Sequence, residues 1–201
     1  MQEQSDLDEV AEAYFSTGTF DRPEYTRLLI RAGNKAVIPL LHALLALTLK
    51  YKQYTDKIAR ASRDAVFGEQ VGRYMWAKAT FGREVEDAYD VIRRTGQPAK
   101  TVLCRALLEQ DYRLRLAAAL LLSMDETPSL ETLNGIQESL DYLADPSQSL
   151  ILMLLGIVMF RSGDAKWRQA VESHANGSGI TPQEWIERTA NTALIELQSG
   201  N

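Results

Sequence analysis

Leu103-Cys104-Arg105-Ala106-Leu107-Leu108-Glu109-Gln110-Asp111-Tyr112-Arg113-Leu114-Arg115-Leu116-Ala117-Ala118-Ala119-Leu120-Leu121-Leu122-Ser123-Met124-Asp125 is the most informative stretch of this sequence. Its first part places Leu103, Ala106 and Leu107 on one helical face together with Ala99, and it closes at Leu107-Leu108. Asp111 marks a turn. A second, almost wholly apolar helix then opens at Leu114 and runs on in alanines and leucines. Small side chains such as Ala117, Ala118 and Ala119 let two helices approach closely where their ridges interlock. No run in the chain alternates apolar and polar residues between turns, so the expectation is an all-α fold.

Start signals repeat along the chain. Asp21-Arg22-Pro23-Glu24, Asp145-Pro146-Ser147-Gln148 and Thr181-Pro182-Gln183-Glu184 each combine a capping oxygen, an early proline and an acid or amide that can bond back to the cap. Thr127-Pro128 is a shorter version. Gly33, Gly96 and Gly163 stand where apolar-periodic runs end. The expected helices are 5–16, 22–32, 35–49, 52–67, 70–94, 98–109, 111–124, 128–143, 147–162, 164–175 and 182–198. Between residues 51 and 94 one kinked helix and two separate ones both fit, because Gly68, Gly72 and Gly82 are potential breaks. Asn176-Gly177-Ser178-Gly179 is expected to be the loosest loop. Leu40, Leu44, Leu103, Leu107, Ala118, Leu122, Leu152, Leu155 and Val158 are expected in the core.

An internal correspondence supports helical pairs. Leu28 to Leu45 lies over Val91 to Leu108 without a gap, pairing Gly33 with Gly96, Leu40 with Leu103 and Leu44 with Leu107. Each copy reads as a helix end, a glycine joint and a new amphipathic helix.

The stretch 103–125 resembles a HEAT repeat, in particular the short kind of phycobilisome-lyase-like proteins. In these an amphipathic first helix ends in a turn with Asp, as at Asp111. The second helix opens with an aliphatic-Arg pair, as at Leu114-Arg115, and continues in alanines and leucines. The following unit departs from the pattern: Leu140, Leu143 and Asp145-Pro146 echo the turn, no Arg follows, and Gly156 comes early. The first copy has Pro39 inside its helix and no Asp after Leu45. The resemblance implies a short HEAT-like α-solenoid of antiparallel helix pairs over residues 21–175. An acidic N-terminal helix (1–20) and a C-terminal helix (181–198) complete a single helical domain, 1–201.

Composition limits the function classes. The chain has 201 residues, 45% hydrophobic and 24% charged, with a net charge of −5. One Cys cannot form an internal disulfide, and one Cys with two His cannot build a Cys/His zinc site. The polar, acidic start is unlike a signal peptide, and the expected compartment is the cytoplasm. The longest apolar run, Leu150 to Phe160, spans roughly 16 Å as a helix, about half a bilayer core, and is expected to be a central buried helix rather than a membrane span. No phosphate loop, nucleophile elbow or metalloprotease signature occurs, and no cofactor is implied. Cys104 is expected to be a small buried hydrophobe rather than a nucleophile. His42 reads as a surface residue, and His174 sits near a helix end, where partial positive charge suits the dipole. The acids of Glu84-Val85-Glu86-Asp87 and Asp125-Glu126 fit no catalytic motif.

Charge is segregated. Residues 1–24 carry seven acids and one base, whereas 25–83 carry 11 bases and three acids, and the remainder is acidic. Within 50–83, Lys50, Lys52, Lys57, Arg60, Arg63, Arg73, Lys78 and Arg83 interleave with Tyr51, Tyr54, Tyr74 and Trp76. Aromatic and arginine side chains together suit interface hot spots. The expectation is a non-catalytic protein-binding module, a scaffold, adaptor or inhibitor, touching an acidic or phosphate-bearing partner through Tyr54, Arg60, Arg63 and Trp76. The alternatives are a nucleic-acid-binding helical repeat protein using the block 50–83 and, from the resemblance, a chromophore-handling protein.

Overall fold

The computed structural model describes residues 2–16, 22–61, 67–140, 142–143 and 145–199; the side chains at 2–4, 54–80, 146 and 199 lie outside that description. Every regular element among the described residues is helical: α1 (Gln2–Ser16), α2 (Arg22–Ala32), α3 (Val37–Ala61), α4 (Phe67–Thr95), α5 (Gln97–Ala106), α6 (Tyr112–Ser123), α7 (Leu130–Leu140), α8 (Ser149–Arg161), α9 (Ala165–Gly177) and α10 (Pro182–Ser199). Two 3-10 turns, Gly33–Ala36 and Pro146–Gln148, lead into α3 and α8. The protein is all-α.

The helix ends follow the local chemistry. The Asp111 carboxylate accepts from the amides of Arg113 at 2.8 Å and Leu114 at 3.3 Å, which caps α6. At α10 the Thr181 amide donates to the Glu184 carboxylate at 2.8 Å and the Glu184 amide donates to the Thr181 hydroxyl at 3.2 Å, a reciprocal capping box. Asp145 acts one element earlier than its sequence suggests: it accepts from the Ser147 amide at 2.8 Å and caps the 3-10 turn ahead of α8. The start of α7 is capped by Ser129, which accepts from the Thr132 amide at 3.1 Å, rather than by Thr127. Asp21 lies outside the described residues. Gly33 and Gly96 take φ of 67° and 84°, a conformation that only glycine adopts at little cost, and each ends one helix and admits the next.

Two expected breaks differ. The break near residue 50 does not occur, because no Gly or Pro lies between Pro39 and Gly68 and Tyr51 is held against Phe81 with ring centroids 6.0 Å apart. Helix α3 continues to Ala61 and α4 is described from Phe67; residues 62–66, where the choice between one kinked helix and two would be made, lie outside the described residues. Pro39 sits in the first turn of α3, where its missing amide costs least. The stretch 176–179 is a closed helix end and not a loose loop: the Ser178 amide reaches the His174 carbonyl and the Ile180 amide the Ala175 carbonyl, both at 3.1 Å.

The centre is α6. Leu114 and every residue from Leu116 to Ser123 are buried, and α3, α5, α8 and α10 pack around them. Ala117, Ala118 and Ala119 have no exposed surface, which is the close approach that their size allows. Beside α6 lies α8, whose apolar run from Leu150 to Met159 is buried except at Leu152 and Met153. Leu152 is therefore half-buried where the core was expected to enclose it; the other eight expected core residues are buried. One hydrophobic cluster runs from Ala11 in α1 to Leu197 in α10. Among the described residues Arg22–Gln53 is long and apolar enough to cross a membrane, but half of its apolar window is buried inside the protein.

The core positions aligned between the stretches 28–45 and 91–108 agree in burial. Leu29 and Ile92, Ala36 and Ala99, Leu40 and Leu103, and Leu44 and Leu107 are all buried to 2% exposure or less. The agreement ends at Leu45, which is buried, and Leu108, which is half exposed. Packing also joins distant parts of the chain: α10 returns to α3 as well as to α6, α8 and α9.

Candidate functional site

Of the residues singled out for partner binding, Tyr54 and Arg60 belong to α3 and Trp76 to α4, while Arg63 lies outside the described residues. All four side chains lie outside the described residues. The described border of the basic block is informative. At that border Thr48 on α3 and Phe81 on α4 are buried. Lys50 is exposed, but Tyr51 is half-buried against the core, so it is a packing residue and not a free aromatic of the basic block.

A charged cluster joins α1, α2 and α4. Glu84 and Asp87 are three residues apart on α4 and therefore share a face. The Arg22 guanidinium donates to both Glu84 oxygens at 2.9 and 2.7 Å and to Asp87. Arg22 Nε also donates to the Tyr14 carbonyl near the end of α1 at 3.3 Å, and the guanidinium lies 5.3 Å from the Tyr14 ring centroid. Glu84 is buried, and that burial raises its carboxyl above the ordinary value against the opposing pull of Arg22. Burial likewise raises the Tyr14 hydroxyl, with Asp87 adding to it. An arginine whose Nη2 meets both oxygens of a buried carboxylate, whose Nη1 meets Asp87 and whose Nε meets an orphan helix carbonyl is a clasp between helices, since each of its partners is already engaged.

Clefts open on the surface among the described residues. One, of about 400 Å3, lies between α2 and α4 over this clasp, with Arg27 and Arg94 at its rim and Asp87 and Asp90 within it. Arg94 Nε contacts Asp90 at 3.3 Å, so its charge is partly met. Another, of about 360 Å3, lies between α8 and α10. Leu150, Met153, Ile180 and Trp185 line it together with Ser149, Ser178, Arg188 and Glu196.

The remaining single-residue candidates have structural surroundings. Cys104 is buried, its thiol faces the Thr132 carbonyl at 3.8 Å, and burial pushes it up to about 11, away from the thiolate that nucleophilic work needs. His42 is exposed. His174 is exposed near the end of α9, with Nδ1 2.8 Å from the Ala170 carbonyl. Asp125 is buried and binds Lys100 at 2.5 Å, while burial and then Asp125 push the Tyr89 hydroxyl up to about 12. Among the described residues no three His, Cys, Asp or Glu side chains gather as a metal site.

Sequence reasoning missed the Arg22 clasp because its partners lie 62 and 65 residues away. One signal was present: Glu84 interrupts the stripe Phe81, Val85, Ala88 on α4, and an acid within an apolar stripe calls for a buried partner. No known protein-family model, curated protein or solved structure matches this chain.

Proposed function

We propose that the protein is a non-catalytic protein-binding module that engages an acidic or phosphate-bearing partner protein in the cytoplasm. The observation that carries this reading is the segregation of charge along the chain: residues 25–83 carry 11 bases and three acids, while the stretches on either side are acidic. Within it the block 50–83 interleaves its Lys and Arg with Tyr54, Tyr74 and Trp76. A rigid helical body carrying a basic, aromatic-bearing segment offers directed hydrogen bonds and contact area to a partner of opposite charge. Within this reading α5 and α6 are a HEAT-like pair, supported by the Asp111 cap and the alanine-lined contact of α6.

The test is affinity capture with the wild-type chain and with Arg60→Glu/Arg63→Glu, both checked by far-UV dichroism and melting. A partner held by the wild type, released by added salt and lost from the folded double variant supports the module. Equal capture by both chains overturns the role of the basic block. A salt-dependent shift of short duplex or single-stranded DNA or RNA, in place of a captured protein, replaces this reading with nucleic-acid binding.

A further inference from the structure

Helix α2 carries a ridge of like charge on its solvent side. Arg27 and Arg31 stand one turn apart, and both are exposed. Side chains four apart on a helix are neighbours, with about 5–6 Å between their Cβ atoms, and two cations so placed repel each other. Arg94, near the end of α4, shares a cleft with Arg27 and adds a third cation beside them. Leu28, three residues before Arg31 and on the same face, is 41% exposed. We propose that this face of α2 docks an acidic segment of a partner protein. Carboxylates one helical turn apart meet Arg27 and Arg31, and an apolar side chain rests on Leu28.

The class of partner follows from how the local charges are already used. Asp87, inside the cleft, is held by Arg22. Asp90 meets Arg93 at 2.6 Å and Arg94 at 3.3 Å. Glu24 stands in the first turn of α2, where an acid suits the helix dipole. Arg31 gains from the same dipole in the last turn, whereas Arg27 sits mid-helix, where the dipole offers nothing. The Arg27 Nε donates to the Pro23 carbonyl at 3.2 Å. The residues three and four back from Arg31 are Leu28 and Arg27, and those three and four on are Asn34 and Lys35, so no acid flanks it along the chain. Among the described residues neither Arg27 nor Arg31 makes an ion pair. Their guanidinium forks are therefore available to carboxylates from outside. An exposed leucine between two arginines favours a protein segment over a phosphodiester backbone, because only the former brings an apolar side chain to cover it. The inference rests on the reading of an acidic protein partner and adds a contact surface on α2, outside the block 50–83.

Fluorescence anisotropy of the full chain with a labelled helical peptide, carrying glutamates four apart and leucines beside them, tests the assignment. The same peptide with glutamines is the uncharged probe. The expected result is saturable, salt-sensitive binding of the acidic peptide, about tenfold or more tighter than the glutamine peptide. Arg27 and Arg31 are exposed, so Arg27→Gln/Arg31→Gln should fold and melt like the wild type. It should weaken the acidic peptide about tenfold, as expected for loss of charge-assisted contacts. Arg105→Gln/Lys166→Gln removes the same charge from exposed positions elsewhere and should leave the affinity within about twofold. Absence of saturable binding, equal weakening by the two double variants, or tighter binding of a single-stranded oligonucleotide than of the acidic peptide at the same salt would each overturn the proposal. Loss of the peptide from folded Arg60→Glu/Arg63→Glu, with full affinity in Arg27→Gln/Arg31→Gln, would keep the acidic partner and overturn the α2 surface.

Discussion

The indole of Trp167 in α9 lies directly on α8 at Gly156, where a Cβ would come within 2.8 Å of Cζ3 and 2.9 Å of Cε3. A glycine in the middle of a buried apolar helix thus has a packing reason: it is the notch that receives the ring. Gly156→Ala gains helix propensity of about 1 kcal/mol but must push Trp167 or α9 away, and overpacking of this kind costs about 1–3 kcal/mol. The expected outcome is a net loss of stability in urea unfolding. Trp167→Leu should be destabilising alone, yet in its background Gly156→Ala should become neutral or favourable, a coupling that a double-mutant cycle reads directly. If Gly156→Ala is stabilising in the wild-type background, the notch is not tight.

Leu107 and Leu108 are neighbours at the end of α5 with opposite environments. Leu107 has no exposed surface and Leu108 is 50% exposed. Leu107→Ala is expected to cost about 2–5 kcal/mol, and Leu108→Ala within about 0.5 kcal/mol of nothing. Chemical denaturation of the two variants checks the register of α5, because a one-residue rotation error would reverse the order.

What the sequence disclosed depended on range. The capping box at Thr181 and Glu184, the cap at Asp111 and the glycine joints at 33 and 96 are local, and each works through atoms within a few residues. The faces of α5, α6 and α8 were legible for the same reason, since 3.6-residue periodicity is a property of one helix. Long-range contacts were not legible. Nothing near Arg22 announces Glu84, nothing near Gly156 announces Trp167, and nothing in α10 announces its return to α3. The lining of the α8–α10 cleft was equally hidden, because Leu150 and Trp185 meet only through the packing of two helices separated by α9. The full length of α3 was hidden because Lys50 and Lys52 interrupt its apolar pattern while the backbone continues and Tyr51 keeps contact with Phe81.

Cys104 supplies a test of burial in solution. Its thiol is 7% exposed and pushed up to about 11, so at pH 8 it is both shielded and protonated. A disulfide-exchange reagent is expected to react with the native protein at least about a hundredfold more slowly than with the protein in denaturant, where an ordinary thiol is partly ionised at that pH. Equal rates would mean that α5 and α7 separate readily around Cys104, contrary to the close contact between Cys104 and Gly135, where a Cβ would stand 3.0 Å from Sγ.

The clasp between Arg22 and Glu84 makes the sharpest prediction about charge. Arg22→Ala leaves the buried Glu84 without its cationic partner, and removal of one member of a buried pair typically costs about 3–5 kcal/mol. Glu84→Gln keeps the shape, removes the charge and should cost less. In the double variant the loss should fall well short of the sum, because a neutral amide at position 84 does not need a cation. The two single variants should also respond differently to pH. Burial raises the Glu84 carboxyl above its ordinary 4.5, so the folded chain holds that proton more tightly than the unfolded one. Stability from this group is then complete at low pH and declines as pH rises through the raised folded value. Arg22 opposes this rise, and Asp87 favours it. Without Arg22 the window should widen upward, and Arg22→Ala should lose more stability between pH 5 and pH 8 than the wild type does. Glu84→Gln lacks the titrating group, so its stability relative to the wild type should improve over the same interval. Urea unfolding of the three chains at several pH values reads these slopes; parallel curves would show that Glu84 stays charged and well solvated, and the clasp would then be a surface ion pair.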